Sequence, residues 1–228
     1  MELLQNGFTL EIPEGCFPLS TDSIALSSFA KLPKNARVLD LGAGCGTLGM
    51  LLCAAHPDCT VTGIEIDPIA HEGALKNAAA NKITDRYSSI CADLCDIEAQ
   101  LKAGHYHICI SNPPYFTAGP ASKALPQARQ EQCCTLEDLF RVAERALQWG
   151  GDFFLVHKPE RLAEICACGS RHNLEAKVLQ LLRHKKEGPI ALILVQCRKG
   201  GKPGLTIQEQ ALFEADGTPT AYYHSLYH

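Results

Sequence analysis

The segment Ser111-Asn112-Pro113-Pro114-Tyr115-Phe116 carries the residues best suited to chemistry. It follows an apolar run at 107–110, which predicts a short buried strand. Two consecutive prolines cannot continue that strand, because each lacks a backbone N–H and fixes φ near about −65°. The outward-facing carbonyls, the amide and the aromatic ring suit a flat group bearing an NH2, with two acceptors taking its hydrogens while the ring stacks on its face. An ordinary Pro-Pro loop with a partly buried tyrosine is the alternative reading of this segment taken alone.

Four polar residues stand at the ends of four successive predicted strands: Asp40, Glu65, Asp93 and Asn112. The predicted strands are 38–41, 59–66, 87–91 and 106–111, and the predicted helices between them are 48–55, 68–81 and 94–103. Alternating strands and helices predict a mainly parallel sheet with helices on both faces. Ligands of such sheets bind outside the carboxyl ends of the strands. We therefore expect the four side chains to share one edge of the sheet.

The turn after the first of these strands, Gly42-Ala43-Gly44-Cys45-Gly46-Thr47, is rich in glycine. Glycine lets a ligand approach the backbone closely. The turn is not the dinucleotide fingerprint, because Thr47 stands where the third glycine would be. We expect Asp40 and the backbone of Gly42 and Gly44 to face an amino-acid-like end of the ligand, whose ammonium needs acceptors.

The next two strand ends predict the remainder of this ligand. A carboxylate at Glu65 can accept bonds from both hydroxyls of a ribose. Asp93 is placed to accept from an adenine amino group, and Ile66 to cover one face of the adenine. The pattern favours an adenosine ligand with a cationic tail over one with a pyrophosphate.

Composition predicts a folded α/β chain with a sizeable core, since 46% of its 228 residues are hydrophobic and 20% are charged. We divide it into an N-terminal cap at 1–32 (a hairpin and a helix), an α/β domain at 33–202 and a tail at 203–228 packed on the same domain. No apolar stretch approaches the roughly 18 residues of a membrane span. The N-terminus lacks a basic segment before an apolar one. We expect a cytoplasmic protein that does not contact membranes.

The second half of the α/β domain continues the pattern. We predict a helix at 136–148 that Gly150-Gly151 terminates, a strand at 152–157, a helix at 159–168, and strands at 174–182 and 190–197 that pair antiparallel. The sheet would then have seven strands, the last of them antiparallel. Residues 117–134 form a connection without periodicity, which is typical of functional or mobile loops.

The net charge of −4 excludes a basic field over the whole molecule. A nucleic-acid partner would need a local patch, for which Arg183-His184-Lys185-Lys186 is the best candidate, although ordinary solvated loops explain this cluster equally well. The twelve cysteines are scattered and contain no C-x-x-C, which favours reduced core thiols. His105, His107 and Cys109 alternate on one predicted strand, but burial of that strand on both faces argues against a metal there, and we predict no metal site.

Two motifs resemble those of class I S-adenosylmethionine-dependent methyltransferases. Asp40-Leu41-Gly42-Ala43-Gly44-Cys45-Gly46 is similar to their first motif, and Asn112-Pro113-Pro114-Tyr115 to the catalytic motif of those that methylate amino or amide nitrogens. Within that group the chain most resembles the bacterial adenine-N6 methyltransferases that modify the anticodon-adjacent adenosine of a valine tRNA. The segments 17–26, 111–116, 128–131, 157–162 and 196–200 carry this likeness, so it covers nearly the whole chain.

The resemblance implies a Rossmann-like, doubly wound sheet, S-adenosyl-L-methionine as cofactor and an RNA substrate, with a monomer favoured. It implies a cofactor site of Thr21, Asp40, Gly42, Gly44, Gly46, Glu65, Ile66, Asp93 and Asn112. The catalytic residues would be Asn112, Pro113 and Tyr115. The substrate-binding residues would be Pro114, Tyr115, Phe116, Arg129, Lys185 and Lys186.

Three other functions share these motifs. A glutamine-N5 methyltransferase of release factors uses the same clamp, since an amide NH2 makes the same bonds as an adenine amino group. Such enzymes usually carry an N-terminal helical domain, whereas fewer than 40 residues precede the first strand here. A ribosomal RNA guanine-N2 methyltransferase is the next alternative. A cofactor-binding assembly factor without catalysis is the last, and an intact Asn-Pro-Pro-Tyr argues against it.

Overall fold

The computed structural model describes residues 1–97, 100–114 and 134–227. The strands in these ranges are β1 (Glu2–Leu3), β2 (Thr9–Leu10), β3 (Arg37–Leu41), β4 (Thr60–Glu65), β5 (Tyr87–Cys91), β6 (Tyr106–Ser111), β7 (Leu147–His157), β8 (Leu174–Lys185), β9 (Ile190–Lys199) and β10 (Thr206–Phe213). The α-helices are α1 (Thr21–Phe29), α2 (Thr47–Ala55), α3 (Pro68–Ala80), α4 (Leu94–Ile97), α5 (Leu136–Ala146), α6 (Leu162–Arg171) and α7 (Ala221–Tyr227). The alternation of strands and helices confirms the predicted α/β class.

Eight of the strands in the described ranges form one sheet, in the order β10-β8-β9-β7-β6-β3-β4-β5. Only β9 among them pairs antiparallel with its neighbours, β7 and β8, which confirms the antiparallel seventh strand. The predicted number of seven strands is wrong, because β10 in the tail adds an eighth, parallel to β8. β10 shows little apolar alternation, because its middle residues are Gln208-Glu209-Gln210. Polar residues are tolerated there because β10 is an edge strand, which need not bury its side chains on both faces.

The N-terminal cap contains the expected hairpin and helix. β1 and β2 pair antiparallel, with Glu2 opposite Leu10. The Ser20 hydroxyl caps α1 by accepting a hydrogen bond from the backbone N–H of Ser23 at 3.4 Å. This cap fixes the first turn of α1, which lies beside the carboxyl ends of the central strands.

The predicted helix at 136–148 ends earlier than expected. A capping box between Thr135 and Asp138 fixes its first turn, and α5 begins at Leu136 as predicted. However, α5 stops at Ala146, and β7 begins at Leu147. Gly150 and Gly151 therefore lie inside a strand instead of ending a helix. The pairing of β7 with β6 is irregular just before Asp152, and Gly150 adopts φ +78° there. The glycine allows the positive φ that this irregular strand requires. A glycine that ends a helix looks the same in the sequence.

Two other predicted helices have different bounds. α4 is described over Leu94–Ile97, residues 98–99 lie outside the described ranges, and 101–103 are not helical, so the predicted end at 103 is wrong. The segment predicted as a helix at 159–168 starts as a 3-10 turn, Pro159–Arg161, and continues as α6 to Arg171. A proline at the first position suits a tight first turn.

The core consists of one apolar layer on each face of the sheet. Phe153 and Phe154 are neighbours on β7 and therefore point to opposite faces. Phe153 packs edge-to-face on Phe140 of α5, with ring centroids 5.2 Å apart. Phe154 packs in the same manner on Phe29 of α1 at 5.7 Å. Helices thus cover both faces, as the alternating pattern predicts.

Eleven cysteines lie in the described ranges, and all eleven are free thiols. No helix in the described part of the chain is both long enough and apolar enough to cross a membrane.

Candidate active site

A cavity of about 600 Å³ opens at the carboxyl ends of β3, β4, β5 and β6. Most of the predicted cofactor site lines it, namely Gly42, Gly44, Glu65, Ile66, Asp93 and Asn112. Pro113 and Pro114 line the same cavity. The volume falls in the range of small-molecule sites in proteins. The structure therefore places Glu65, Ile66 and Asp93 in the same cavity as the Asn112-Pro113-Pro114 segment.

The glycine turn gives this cavity an open backbone wall. Gly42 and Gly44 adopt φ of +77° and +55°, a left-handed conformation that favours glycine. A Cβ added at either residue would meet no atom within 4 Å, so the space in front of the turn is empty. The N–H groups of Gly42 and Ala43 both donate to the Ile64 carbonyl, which holds the turn against β4.

Glu65 is fixed at the end of β4 and is only 6% exposed. One carboxylate oxygen accepts from the Gly44 N–H and the other from the Asp67 N–H, each at 2.8 Å. Because an ionised carboxylate offers about four acceptor positions, each oxygen keeps capacity for a further donor. The two backbone bonds fix the orientation of the carboxylate.

Asn112 follows β6 directly, and its amide is held by a residue from α1. The Nδ2 group donates to the Ser23 hydroxyl at 2.9 Å, across 89 residues of sequence. The preceding Ser111 is fully buried and donates to the Leu41 carbonyl at 2.7 Å, which ties the end of β6 to the end of β3.

Asp40, predicted to face the ammonium end of the ligand, does not line the cavity. It is the penultimate residue of β3, and its side chain is completely buried inside the fold. Neither carboxylate oxygen makes a hydrogen bond of good geometry within the described residues, although the backbone N–H of Gly49 lies near enough to favour the ionised form. Burial, together with the negative charge of Glu65, raises the pKa of Asp40 to about 8.

Gly46 and Thr21 are two further predicted cofactor residues that lie outside the cavity lining. A Cβ at Gly46 would stand 2.9 Å from the hydroxyl of Tyr87, so this glycine makes room for a buried ring. The Thr21 hydroxyl lies 3.1 Å from that of Tyr227 in α7 and so faces the tail. Membership of a matching motif thus did not guarantee contact with the cavity.

The predicted substrate residues divide into two groups. Tyr115, Phe116 and Arg129 lie outside the described residues. Lys185 and Lys186 are exposed at the end of β8, on the same edge of the sheet as Asn112 but beyond β7 and β9. They do not line the cavity. Glu214 offsets the charge of Lys186, with which it pairs at 3.2 Å.

Sequence reasoning assigned no role to several residues that line the cavity. Ser23, Phe17 and Pro18 come from the segment that precedes and opens α1, and Lys158 follows β7. The family resemblance of segments 17–26 and 157–162 points to this part of the chain. It does not indicate which individual residues contact the cavity. Within the described ranges, no group of three His, Cys, Asp or Glu side chains could hold a metal ion.

Comparisons with known proteins agree with this geometry. A family model described as Methyltransferase small domain matches residues 21–166. A relative from Dickeya chrysanthemi, named tRNA1(Val) (adenine(37)-N6)-methyltransferase, is 30% identical over 187 residues, which are 81% of this chain and 74% of the relative.

Solved structures share the fold. An Agrobacterium tumefaciens protein described as a predicted O-methyltransferase matches with a TM-score of 0.75 and 24% identity, over 90% of this chain and 95% of that one. Geranyl diphosphate C-methyltransferase from Streptomyces coelicolor, solved with S-adenosyl-L-homocysteine, matches with a TM-score of 0.60 and 12% identity, over 78% and 76%. These likenesses establish a Rossmann-like methyltransferase fold. Since the family model spans more than half of the chain, the protein is a methyltransferase and belongs to the methyltransferase small domain family.

Proposed function

We propose that the protein transfers a methyl group from S-adenosyl-L-methionine to N6 of an adenosine in tRNA, in the cytoplasm. The observation that carries the proposal is the single cavity shared by Glu65 and the Asn112-Pro113-Pro114 segment. The name of the Dickeya relative supports tRNA as the substrate and the adenine at position 37 as the target.

The cavity fits an adenosine with a compact cationic tail. The open glycine turn leaves room for the tail, and the oriented Glu65 carboxylate suits the two hydroxyls of the ribose. Ile66 is 41% exposed at the rim, where it can cover the adenine, and Asp93 can accept from the adenine amino group. When bound, S-adenosylmethionine supplies an electrophilic methyl group on a sulfonium centre.

The chain's own part in catalysis is to position and polarise the target nitrogen. The Asn112 side-chain carbonyl and the Pro113 backbone carbonyl accept hydrogen bonds from the target NH2. These bonds draw electron density onto nitrogen and weaken its conjugation with the ring, so its lone pair becomes nucleophilic. No strong base is required before the attack, since the surplus proton leaves afterwards. Catalysis then depends on orientation and on fixed dipoles.

The remaining predicted substrate residues act on the RNA in this proposal. Tyr115, with Phe116, stacks on an adenine turned out of its loop, and Pro114 supports the rim of the pocket. Arg129, Lys185 and Lys186 contact phosphates. Because Glu214 already pairs with Lys186, we expect few phosphate contacts here and a modest salt dependence of RNA binding.

A methyl-transfer assay tests the proposal against its alternatives. The enzyme is incubated with cofactor carrying a labelled methyl group and, in separate reactions, total bacterial tRNA lacking N6-methyladenosine, ribosomal RNA, and purified release factors. We expect label in tRNA alone. Label in release-factor glutamine or in ribosomal RNA guanine would overturn the assignment, as would cofactor binding without transfer to any of the three.

A further inference from the structure

We infer that Ser23 is a positioning residue that sets which end of the Asn112 amide faces the target nitrogen. Ser23 is only 5% exposed, and its hydroxyl accepts from Asn112 Nδ2 at 2.9 Å. Both residues line the cavity. The inference rests on the proposed function, because it concerns the acceptor that binds the target NH2.

An asparagine amide has two ends of nearly equal size and opposite chemistry. One end is an acceptor and the other carries two donors. If Nδ2 faced the target NH2, two donors would oppose each other and the nitrogen would not be polarised. Since Nδ2 points to Ser23, the side-chain oxygen points the other way, which is the orientation that an amino-group substrate needs.

A serine hydroxyl can also donate, so its own proton must be directed elsewhere for this selection to work. The Ser20 hydroxyl lies 3.5 Å from that of Ser23, at the long limit for a hydrogen bond, and we assign it as the acceptor of the Ser23 proton. Ser20 itself is fixed as the cap of α1 by the Ser23 backbone N–H. The first turn of α1 therefore presents Ser23 as an acceptor toward Asn112.

Kinetics of Ser23→Ala test the inference. We expect turnover to fall about tenfold, the effect of losing one oriented hydrogen bond, while the dissociation constant of the cofactor changes less than about twofold. Ser23→Thr keeps a hydroxyl and should recover most of the turnover. Ser27→Ala is the matched control, because Ser27 lies one turn later on α1, donates to the Ile24 carbonyl and does not line the cavity. It should behave as wild type.

A double variant separates positioning from a merely structural role. If Ser23 acts through the amide, Ser23→Ala should cause no further loss of turnover in an Asn112→Ala background. A full tenfold loss in that background would overturn the inference, and so would equal turnover in Ser23→Ala and wild type.

A spectroscopic readout keeps this test independent of the substrate. In 15N spectra of the cofactor-free protein, the side-chain NH2 signals of Asn112 are assigned by their absence in Asn112→Ala. Ser23→Ala should shift these signals and speed their exchange with water, whereas Ser27→Ala should not. Unchanged signals would overturn the inference about Ser23. An absence of methyl transfer to tRNA by wild type would instead overturn the proposed function.

Discussion

At the scale of single residues, Glu65 and Asn112 have different roles in the proposed function. Both line one cavity, but Glu65 lies on the glycine-turn side with its carboxylate held by two backbone N–H groups, whereas Asn112 lies beside Ser23. Because the two side chains would contact different molecules, their loss should affect different kinetic constants.

Asn112→Ala should lower kcat by about two to three orders of magnitude, the usual cost of removing one polarising group from an active site. The dissociation constant of S-adenosylmethionine should change only a few-fold. Glu65→Gln should have the reverse effect, with weakened cofactor binding and a smaller loss of kcat at saturating cofactor. Calorimetry and single-turnover rates measure the two quantities. The opposite pattern would show that the roles are exchanged.

Asp40 gives a pH-dependent prediction. Its pKa is raised in the folded state to about 8 from an ordinary value of 3.8, so the unfolded chain ionises first as pH rises. The group therefore lowers stability progressively between those two values, with no effect below the lower one. Urea unfolding from pH 4.5 to 8 should show that Asp40→Asn gains stability relative to wild type as pH rises. A constant difference across this range would contradict the burial argument.

The residues at the strand ends could be predicted because a parallel sheet collects them at one edge. Glu65 ends β4 and Asn112 follows β6, and both reach the cavity. The sequence does not show that Asp40 differs from these residues. It lies one residue before the end of β3, and its side chain is buried inside the fold instead of lining the cavity. Ser23 was missed because its partner lies 89 residues away.

At the scale of elements, the packing of α2 against β5 explains glycines that the ligand does not need. Gly46, Gly49 and Gly63 surround the ring of Tyr87, and a Cβ at any of them would approach that ring or its hydroxyl within 3 Å. The glycine pattern of this region therefore serves two purposes, an open cavity wall and a buried tyrosine.

Gly49→Ala should destabilise the protein although alanine is the better helix former. Its Cβ would stand 2.2 Å from a ring carbon of Tyr87, and such overpacking costs about 1–3 kcal/mol, against a helix gain of about 1 kcal/mol. In a Tyr87→Leu background the same substitution should cost less. Urea unfolding of the four variants measures this. A stabilised Gly49→Ala single variant would contradict the packing described.

Most elements could be predicted because periodicity and caps agree, as they do for α3, which begins with the predicted Pro68. The boundary between α5 and β7 could not, because Gly150-Gly151 is compatible with both a helix end and an irregular strand. β10 was missed for a related reason. Its partner β8 supplies the pairing, while its own polar residues give no strand signal.

At the scale of the whole molecule, the sheet unites two chemical halves that are far apart in sequence. The Glu65 carboxylate comes from β4 and the Asn112-Pro113-Pro114 segment follows β6, and β3 lies between these strands in the sheet. The tail and the N-terminal cap meet at the hydroxyl pair of Thr21 and Tyr227, so α1 is supported on the side away from the cavity. The fold thus holds α1, and with it Ser23, against the end of β6.

Mass spectrometry of nucleosides tests the central claim most directly. The enzyme is incubated with S-adenosylmethionine carrying a trideuterated methyl group and tRNA that lacks N6-methyladenosine, and the tRNA is digested to nucleosides. We expect trideuterated N6-methyladenosine, formed about two to three orders of magnitude more slowly when Asn112→Ala replaces wild type. Label on any other nucleoside, or equal rates of N6-methyladenosine formation by both proteins, would contradict this claim.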